Sequence, residues 1–147
     1  MDHIDDKILR TLERDGRLTN LQLADHIGLS PSATSRRVAD LERSGVIAGY
    51  RAVIDRTKIG IGFLAYVTVG LSKHTKEAQL AFERAIARAP EVKECHNVTG
   101  VFEYILRVET ADLTAYKTFH TDVLGVLPQV NSITSYIVME SPKDMRA

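Results

Sequence analysis

Apolar side chains in the first fifty residues recur every three or four positions, which is the spacing of a helix face packed on a core. Ile4, Ile8 and Leu12 carry this pattern and predict a first helix. A second, short helix is predicted over residues 20–27, and Gly28 follows it with the conformational freedom that a tight turn needs. The first third of the chain is therefore predicted to be helical with short connections.

A third helix is predicted directly after that turn. Ser30 is a favourable N-cap residue, and Pro31 suits the first helical position. The helical pattern continues to about Ser44, and Gly45 ends it. Residues 46–54 then predict a small β-hairpin, which would form a wing beside the helices.

The two sides of the third helix differ in chemistry. Thr34, Val38 and Leu41 fall on the side that faces the second helix. A major groove accepts a side that is small, hydroxylic and basic, whereas it would reject a bulky or acidic one. The outer side has this character and comprises Ser32, Arg36, Ala39 and Arg43, with Ala33 and Ser35 on its flanks. The helix-turn-helix spacing therefore indicates DNA binding, and an ordinary solvated face of a three-helix core is the alternative.

From residue 63 onward the pattern predicts a unit of a strand followed by a helix, and this unit occurs twice. Apolar residues alternate from Phe63 to Leu71, as in a strand, and recur at helical spacing from Ala78 to Ala89. The remaining predicted elements are strands over 92–98 and 104–109, a helix from Asp112 to Leu127, and a strand over 130–140. The doubled unit predicts a four-stranded antiparallel sheet with both helices on one face.

The sequence thus predicts an α+β chain. Residues 1–50 form a winged helix-turn-helix domain, 51–61 a linker strand, and 62–147 a ferredoxin-like βαββαβ domain. Apolar residues lie on more than one side of the strands at 63–71 and 133–139. We therefore expect a second copy of the sheet to cover the open face, giving a homodimer.

Composition narrows the class of protein without assigning a partner. The 147 residues include 19 Lys and Arg against 19 Asp and Glu, so DNA binding requires a local basic patch. Such a patch exists between Leu29 and Arg51, where four arginines oppose two acids. The acidic first residues predict no secretory signal, and the single cysteine, Cys95, suits a reducing cytoplasm.

Motifs of catalysis or metal binding are missing from the sequence. It has no phosphate-binding glycine loop, no HExxH and no Cys-x-x-Cys. Cys95 and His96 are neighbours on a predicted strand and point to opposite faces, so they do not readily share a metal ion. Cys95 is instead expected to be a buried core residue. We expect no catalytic residue, no metal site and no cofactor.

Several short motifs in the first fifty residues carry a family resemblance. They are Asp5-x-x-Ile8-Leu9, Gly16-Arg17-Leu18-Thr19, Leu23-Ala24, Gly28-Leu29-Ser30-Pro31-Ser32, Arg37-Val38-x-x-Leu41-Glu42-x-Ser44-Gly45-Val46-Ile47 and Gly49-Tyr50. Two further motifs follow, Glu94-Cys95-His96-x-Val98-x-Gly100 and Leu127-Pro128-x-Val130. In this order and spacing the chain resembles the Lrp/AsnC, or feast/famine, family of transcriptional regulators.

The resemblance implies a bacterial or archaeal regulator of the cytoplasm, associated with the nucleoid, that binds double-stranded DNA as a homodimer. Dimers of this family commonly assemble into octamers, and a small effector, usually an amino acid, binds between dimers. Residues 62–147 would accordingly form an amino-acid-responsive oligomerisation domain.

The helix faces and the resemblance together give a set of expected DNA-binding residues. They are Ser30, Ser32, Ala33, Ser35, Arg36, Arg37 and Arg51. Arg36 could pair with guanine, and the serines could contact a base or a phosphate. Arg37 lies near the buried side, so it either forms an ion pair with Glu42 or another acid or contacts a phosphate. Arg51 is expected to contact a phosphate, and a solvated linker arginine is the alternative.

The resemblance also implies an effector site near the turn at Gly100 and near the last strand. The residues concerned are Thr99, Gly100, Val101, Glu103, Leu113, Tyr136, Ile137 and Val138. For the last three, strand packing at the oligomer interface is the alternative to ligand contact, and the two are compatible. The family often has Gly-Asp-x-Asp where this chain has Gly100-Val101-Phe102-Glu103, so Glu103 keeps one carboxylate and Val101 removes the other. The remaining lining is apolar and favours leucine, methionine or phenylalanine over a charged amino acid.

Two other functions remain open from the sequence. An effector-independent architectural DNA-binding protein would share the assembly and the DNA contact, and Val101 favours this alternative. An enzyme related to tetrapyrrole decarboxylases would share the fold, but it would not need the basic helix that carries Ser32 and Arg36.

Overall fold

The computed structural model describes residues 1–145, and these form two compact units that divide between Val53 and Ile54. The first unit contains α1 (His3–Arg14), α2 (Asn20–Ile27) and α3 (Pro31–Arg43). All three helices confirm the sequence prediction. Their shared core consists of Ile8, Leu23, Ile27, Val38 and Leu41.

Local side chains begin each helix. Asp2 and Asp5 form a reciprocal capping box at α1, and Thr19 with Gln22 does the same at α2. The hydroxyl of Ser30 accepts the backbone N–H of Ala33 at the start of α3. These caps lie within four residues of the groups they satisfy, which is why the helix starts are predictable from sequence.

Within the described chain no strand forms over residues 46–61, so the winged helix-turn-helix unit lacks the hairpin strands and the linker strand that the sequence predicts there. Ile47 instead donates its N–H to the carbonyl of Leu41 and packs against the helical core. The Asp55 carboxylate accepts from the N–H and hydroxyl of Thr57, which begins a 3₁₀ turn over Thr57–Ile59. An isolated two-stranded hairpin is only marginally stable, so these local contacts decide the conformation.

The second unit has the predicted βαββαβ order. Its elements are β1 (Phe63–Leu71), α4 (Lys76–Ala87), β2 (Val92–Asn97), β3 (Tyr104–Thr110), α5 (Leu113–Phe119) and β4 (Val130–Ile137). The strands form one sheet in the order β2-β3-β1-β4, and every neighbouring pair is antiparallel. The predicted last helix is shorter than expected, because α5 ends at Phe119 and a π-helical turn, His120–Leu124, follows it.

One face of the sheet carries the core of the second unit. Val67 and Leu106 lie opposite each other on β1 and β3, and both are fully buried. Phe82 of α4 and Phe119 of α5 pack against the same cluster. Both helices therefore cover one face, as predicted. Cys95 is exposed on the edge strand β2, so its predicted place in the core is wrong.

The open face of the sheet carries apolar residues, as the sequence predicts, together with polar ones. The alternate residues of β1 on this side are Leu64, Tyr66, Thr68 and Gly70. Arg107 donates to the hydroxyl of Tyr66 at 2.9 Å. The strand pleat places every second residue here, so this side of β1 and β3 carries both apolar and polar side chains. Among residues 1–145, no helix is long and apolar enough to cross a membrane.

Candidate functional site

The outer side of α3 is the candidate DNA-binding surface. Thr34, Val38 and Leu41 are buried against the other helices, whereas Ser32 and Arg36 are exposed. Ser35 is exposed as well, and Ala33 is half-buried. The buried and the exposed sides of α3 are therefore the two sides that helical spacing predicts.

Arg36 differs from the other arginines of α3. Within residues 1–145 its guanidinium makes no ion pair or hydrogen bond, whereas Arg43 pairs with Asp40 at 2.8 Å. A guanidinium presents five N–H donors in a fixed fork, and those of Arg36 are all available to a partner. Arg51 is also exposed and, in the part of the chain that the structure describes, unpaired.

The hydroxyls at the start of α3 form a short chain. The Oγ atom of Ser30 accepts the Ala33 N–H at 3.2 Å and lies 3.3 Å from the Oγ atom of Ser32. Ser30 therefore acts first as the helix cap. The hydroxyl of Ser32 is exposed, so it can still donate to an outside acceptor.

Arg37 ties α3 to the start of α1. Its Nη1 atom lies 2.9 Å from Asp2 Oδ2 and 2.8 Å from Asp5 Oδ1. Of the alternatives that the sequence left open, the structure therefore shows an ion pair with other acids, and Glu42 takes no part in it. Hydrogen bonds from Arg37 to Asp5 and Asp2 raise the pKa of the guanidinium.

This contact gives the helical unit an expected response to acid. The Asp5 backbone N–H, together with Arg37, holds the pKa of Asp2 below its ordinary value of 3.8. The folded chain thus binds fewer protons than the unfolded one, so the stabilisation is present above about pH 4 and is lost as the pH falls through the lower folded pKa. Asp2→Asn keeps a capping oxygen but removes the charge, and we expect a smaller drop in melting temperature on acidification.

Melting curves followed by circular dichroism between about pH 2 and pH 7 measure this effect. Asp6→Asn is the matched control, since Asp6 is an exposed acid of the same helical turn. An acid response of Asp2→Asn equal to that of the unmodified chain would contradict the assignment.

Tyr50 is a positioning residue that the sequence did not reveal. Its hydroxyl donates to Glu42 at 2.9 Å, and a methyl group added at Gly16 would lie 3.5 Å from its ring. Burial, with Glu42 as a second cause, raises the pKa of Tyr50, so the phenol stays protonated. Tyr50 thereby holds the segment after α3, including the adjacent Arg51, against α1 and α3.

The eight expected effector residues fall into two groups at opposite ends of the sheet. Thr99, Gly100, Val101 and Glu103 lie in or beside the β2–β3 loop, near the end of β1. The other four lie near the start of β1 and are Leu113, Tyr136, Ile137 and Val138. At about 3.3 Å per strand residue, the groups are about 20 Å apart. A single chain therefore does not bring them together.

The β2–β3 loop exposes an apolar tip. Gly100 has a φ of +134°, which favours glycine, and the side chain of Val101 is 99% exposed. Thr99 is also exposed. The loop thus offers backbone groups and one valine to a partner molecule.

Glu103 is occupied by contacts within the chain. Its Oε2 atom accepts the Leu71 N–H at 2.7 Å, and its Oε1 atom lies 2.7 Å from His74 Nδ1. Its side chain is 14% exposed. The expected ammonium ligand is therefore present, but part of its bonding capacity is already used. Sequence reasoning did not identify His74.

The second group lies near a charged network on the open face. Arg107 donates to Glu109 at 3.3 Å, and Arg56 lies 3.1 Å from the other oxygen of the same carboxylate. Leu113, Tyr136 and Ile137 are exposed, and Val138 is half-buried. No charged side chain belongs to the expected lining itself, which stays apolar at this end.

Two family models match the chain, one for each unit. A winged helix-turn-helix DNA-binding model matches residues 1–48, and the model of the Lrp/AsnC ligand-binding domain matches residues 64–147.

Similar proteins extend over nearly the whole chain. The proline dehydrogenase transcriptional activator of Rhizobium radiobacter is 37% identical, and the match covers 98% of this chain and 92% of that protein. The leucine-responsive regulatory protein of Escherichia coli is 36% identical, with 97% and 87% covered. A solved transcriptional regulator from Neisseria meningitidis, in complex with L-Met, superposes with a TM-score of 0.94 at 32% identity, with 98% and 93% covered.

Proposed function

Since the chain belongs to the Lrp/AsnC family of transcriptional regulators, we propose that the outer side of α3 reads duplex DNA and that an amino acid regulates this binding. The observation that carries the DNA contact is the unpaired, exposed Arg36, which shares the outer side of α3 with the exposed Ser32 and Ser35 while the other side of the helix is buried. A free guanidinium can pair bidentately with guanine, and small hydroxyl neighbours allow the helix to enter the major groove.

The remaining residues have distinct proposed roles. Ser32 and Ser35 contact a base or a phosphate, and Ala33 contacts the methyl group of thymine. Arg51 contacts a phosphate from the segment that Tyr50 holds. Arg37 acts indirectly, because its contacts with α1 fix the orientation of α3.

The DNA contact is tested with the full chain and a duplex from its own upstream region. Fluorescence anisotropy gives the dissociation constant at several salt concentrations, and a scrambled duplex of equal length is the control. We expect tighter binding to the upstream duplex and, for both, a fall in affinity with salt, because phosphate contacts release counterions. Equal affinity for the two duplexes would contradict specific recognition.

For the effector we propose an apolar amino acid held between chains. The two groups of expected residues lie at opposite ends of one sheet, so a neighbouring chain must bring one group to the other. The Gly100 turn offers backbone groups to the carboxylate, and Glu103 offers a negative charge to the ammonium. The apolar lining comprises Val101, Leu113, Tyr136, Ile137 and Val138. Two relatives described above, a leucine-responsive protein and a regulator bound to L-Met, support this choice of ligand class.

Isothermal titration calorimetry with the twenty amino acids identifies the effector. We expect leucine, methionine or phenylalanine to bind and aspartate or lysine not to bind, because an unpaired buried charge is costly. Binding of a charged amino acid alone would contradict the proposed lining. Failure of all twenty would favour the architectural alternative, which Val101 and the occupied Glu103 carboxylate support.

We also propose a homodimer as the unit that assembles further, up to an octamer, on the nucleoid of the cytoplasm. The mixed open face, with Leu64, Tyr66 and Tyr136 beside polar groups, is the surface that a second copy would cover.

The two relatives named above are regulators of transcription, and we propose that this chain is likewise a regulator and not an enzyme.

A further inference from the structure

We propose that His74 occupies the position at Glu103 that the effector's ammonium group takes, so that His74 and the effector compete for one carboxylate oxygen. This inference rests on the proposed amino-acid site and adds a residue that limits its affinity.

The backbone around Glu103 is held on both sides. Its N–H donates to the carbonyl of Val69 at 3.1 Å, and its own carbonyl accepts from Val98 at 2.8 Å. The amide of Asn97 donates to the same carbonyl at 3.1 Å. These bonds close the β2–β3 loop at its base, so the backbone from which the Glu103 side chain projects is held in place.

The two oxygens of Glu103 serve different purposes. Oε2 accepts the N–H of Leu71 at the point where the pairing of β1 with β4 shifts register after Gly70. That N–H is backbone at the end of a strand, and losing its acceptor would leave a part-buried donor unsatisfied. Oε2 is therefore structural, and only Oε1 is available for exchange.

His74 holds Oε1 from a position that allows release. It lies in the irregular segment between β1 and α4, and its side chain is 77% exposed. In the described chain Glu103 is its one ion-pair or hydrogen-bond partner, through Nδ1 at 2.7 Å. The imidazole itself is exposed and belongs to no core cluster, so it can leave without disturbing the core.

An ammonium group and the imidazole would compete directly. The ammonium brings three donors and a full positive charge, which a carboxylate oxygen accepts strongly. The side chain of Glu103 is only 14% exposed, so an imidazole 2.7 Å from Oε1 covers the approach to that oxygen, and the ammonium group must displace it to bind. The free chain thus spends part of its time in a form that cannot bind the effector, and the apparent affinity is reduced by that fraction.

The test compares His74→Ala with the unmodified full chain by calorimetry, with L-methionine as the probe. If His74 blocks the site for most of the time, its removal tightens binding about 3- to 10-fold. His96→Ala is the matched control, since His96 forms a similar exposed pair with Glu94 at 3.2 Å and should leave binding unchanged. Melting curves check that both variants fold.

A second comparison tests whether the effect of His74→Ala depends on the carboxylate of Glu103. Glu103→Gln retains an acceptor for Leu71 but loses the charge, so it should weaken methionine binding. In that background His74→Ala should no longer improve binding, because an amide NH2, which is a donor, replaces the oxygen for which the two groups compete. A gain from His74→Ala that is equally large in both backgrounds would overturn the competition.

The remaining outcomes separate this inference from the proposed function. Methionine binding to the unmodified chain with no gain in His74→Ala would overturn the inference and leave the effector site standing. Binding seen only in His74→Ala would support it directly. If neither chain binds any of the twenty amino acids, the effector proposal and the inference both fail.

Discussion

Arg36→Ala is expected to weaken binding to the specific duplex by about 1–3 kcal/mol per half-site, which is about 5- to 150-fold, and to relax specificity at one base position. Arg36 is exposed on α3 and, among the described residues, has no ion-pair or hydrogen-bond partner. A loss of DNA affinity therefore cannot come from a broken contact within the described chain. Removal of the Arg36 side chain leaves the helix and its core intact. Anisotropy titrations against the upstream duplex and its single-base variants measure the effect.

Two control variants sharpen this experiment. Arg36→Lys keeps the charge but loses the fork, so the salt dependence should persist while specificity falls. Arg84→Ala removes an equal charge from an exposed position of α4 and should change neither quantity appreciably. Unchanged affinity of Arg36→Ala for the upstream duplex would remove Arg36 from the site.

Phe82→Ala is expected to lower the free energy of unfolding of the second unit by about 3–5 kcal/mol. Phe82 is fully buried between sheet and helix, and its ring lies 4.6 Å from that of Tyr104. Leu80→Ala is the control, because Leu80 lies on the same helix but is exposed.

Hydrogen exchange locates this loss. The cores of the two units share no residue, so β1 and β3 should lose protection while α2 and α3 keep theirs. Equal loss of protection in α2 and β1 would show that the two cores unfold as one.

The parts of the fold that the sequence predicts best depend on short-range interactions. Thr19 and Ser30 cap helices that begin at the next residue, and Gly28 follows α2 with a φ of +83°. The strand predicted from Phe63 to Leu71 likewise has the same bounds as β1. Over residues 46–61, by contrast, β-forming composition is overridden by the contacts of Ile47 and Asp55 with their neighbours.

The candidate sites were predictable only where one element decides the outcome. Helical spacing alone predicts which residues lie on the outer side of α3, because burial repeats with the period of the helix. Arg37 contacts Asp2 across 35 positions, and Glu103 reaches the Leu71 N–H across 32. Such contacts depend on how separate elements pack, which spacing along the chain does not encode. The separation of the effector residues into two groups has the same origin.

The central claim, a DNA-binding chain regulated by an amino acid, is tested most directly by titrating the upstream duplex with and without saturating methionine, leucine or phenylalanine. We expect at least one of them to change the affinity by about 1–3 kcal/mol, or about 5- to 150-fold, and by linkage the duplex to change the affinity for that amino acid equally. Specific DNA binding that no amino acid alters would contradict regulation, and the absence of specific DNA binding would contradict the account as a whole.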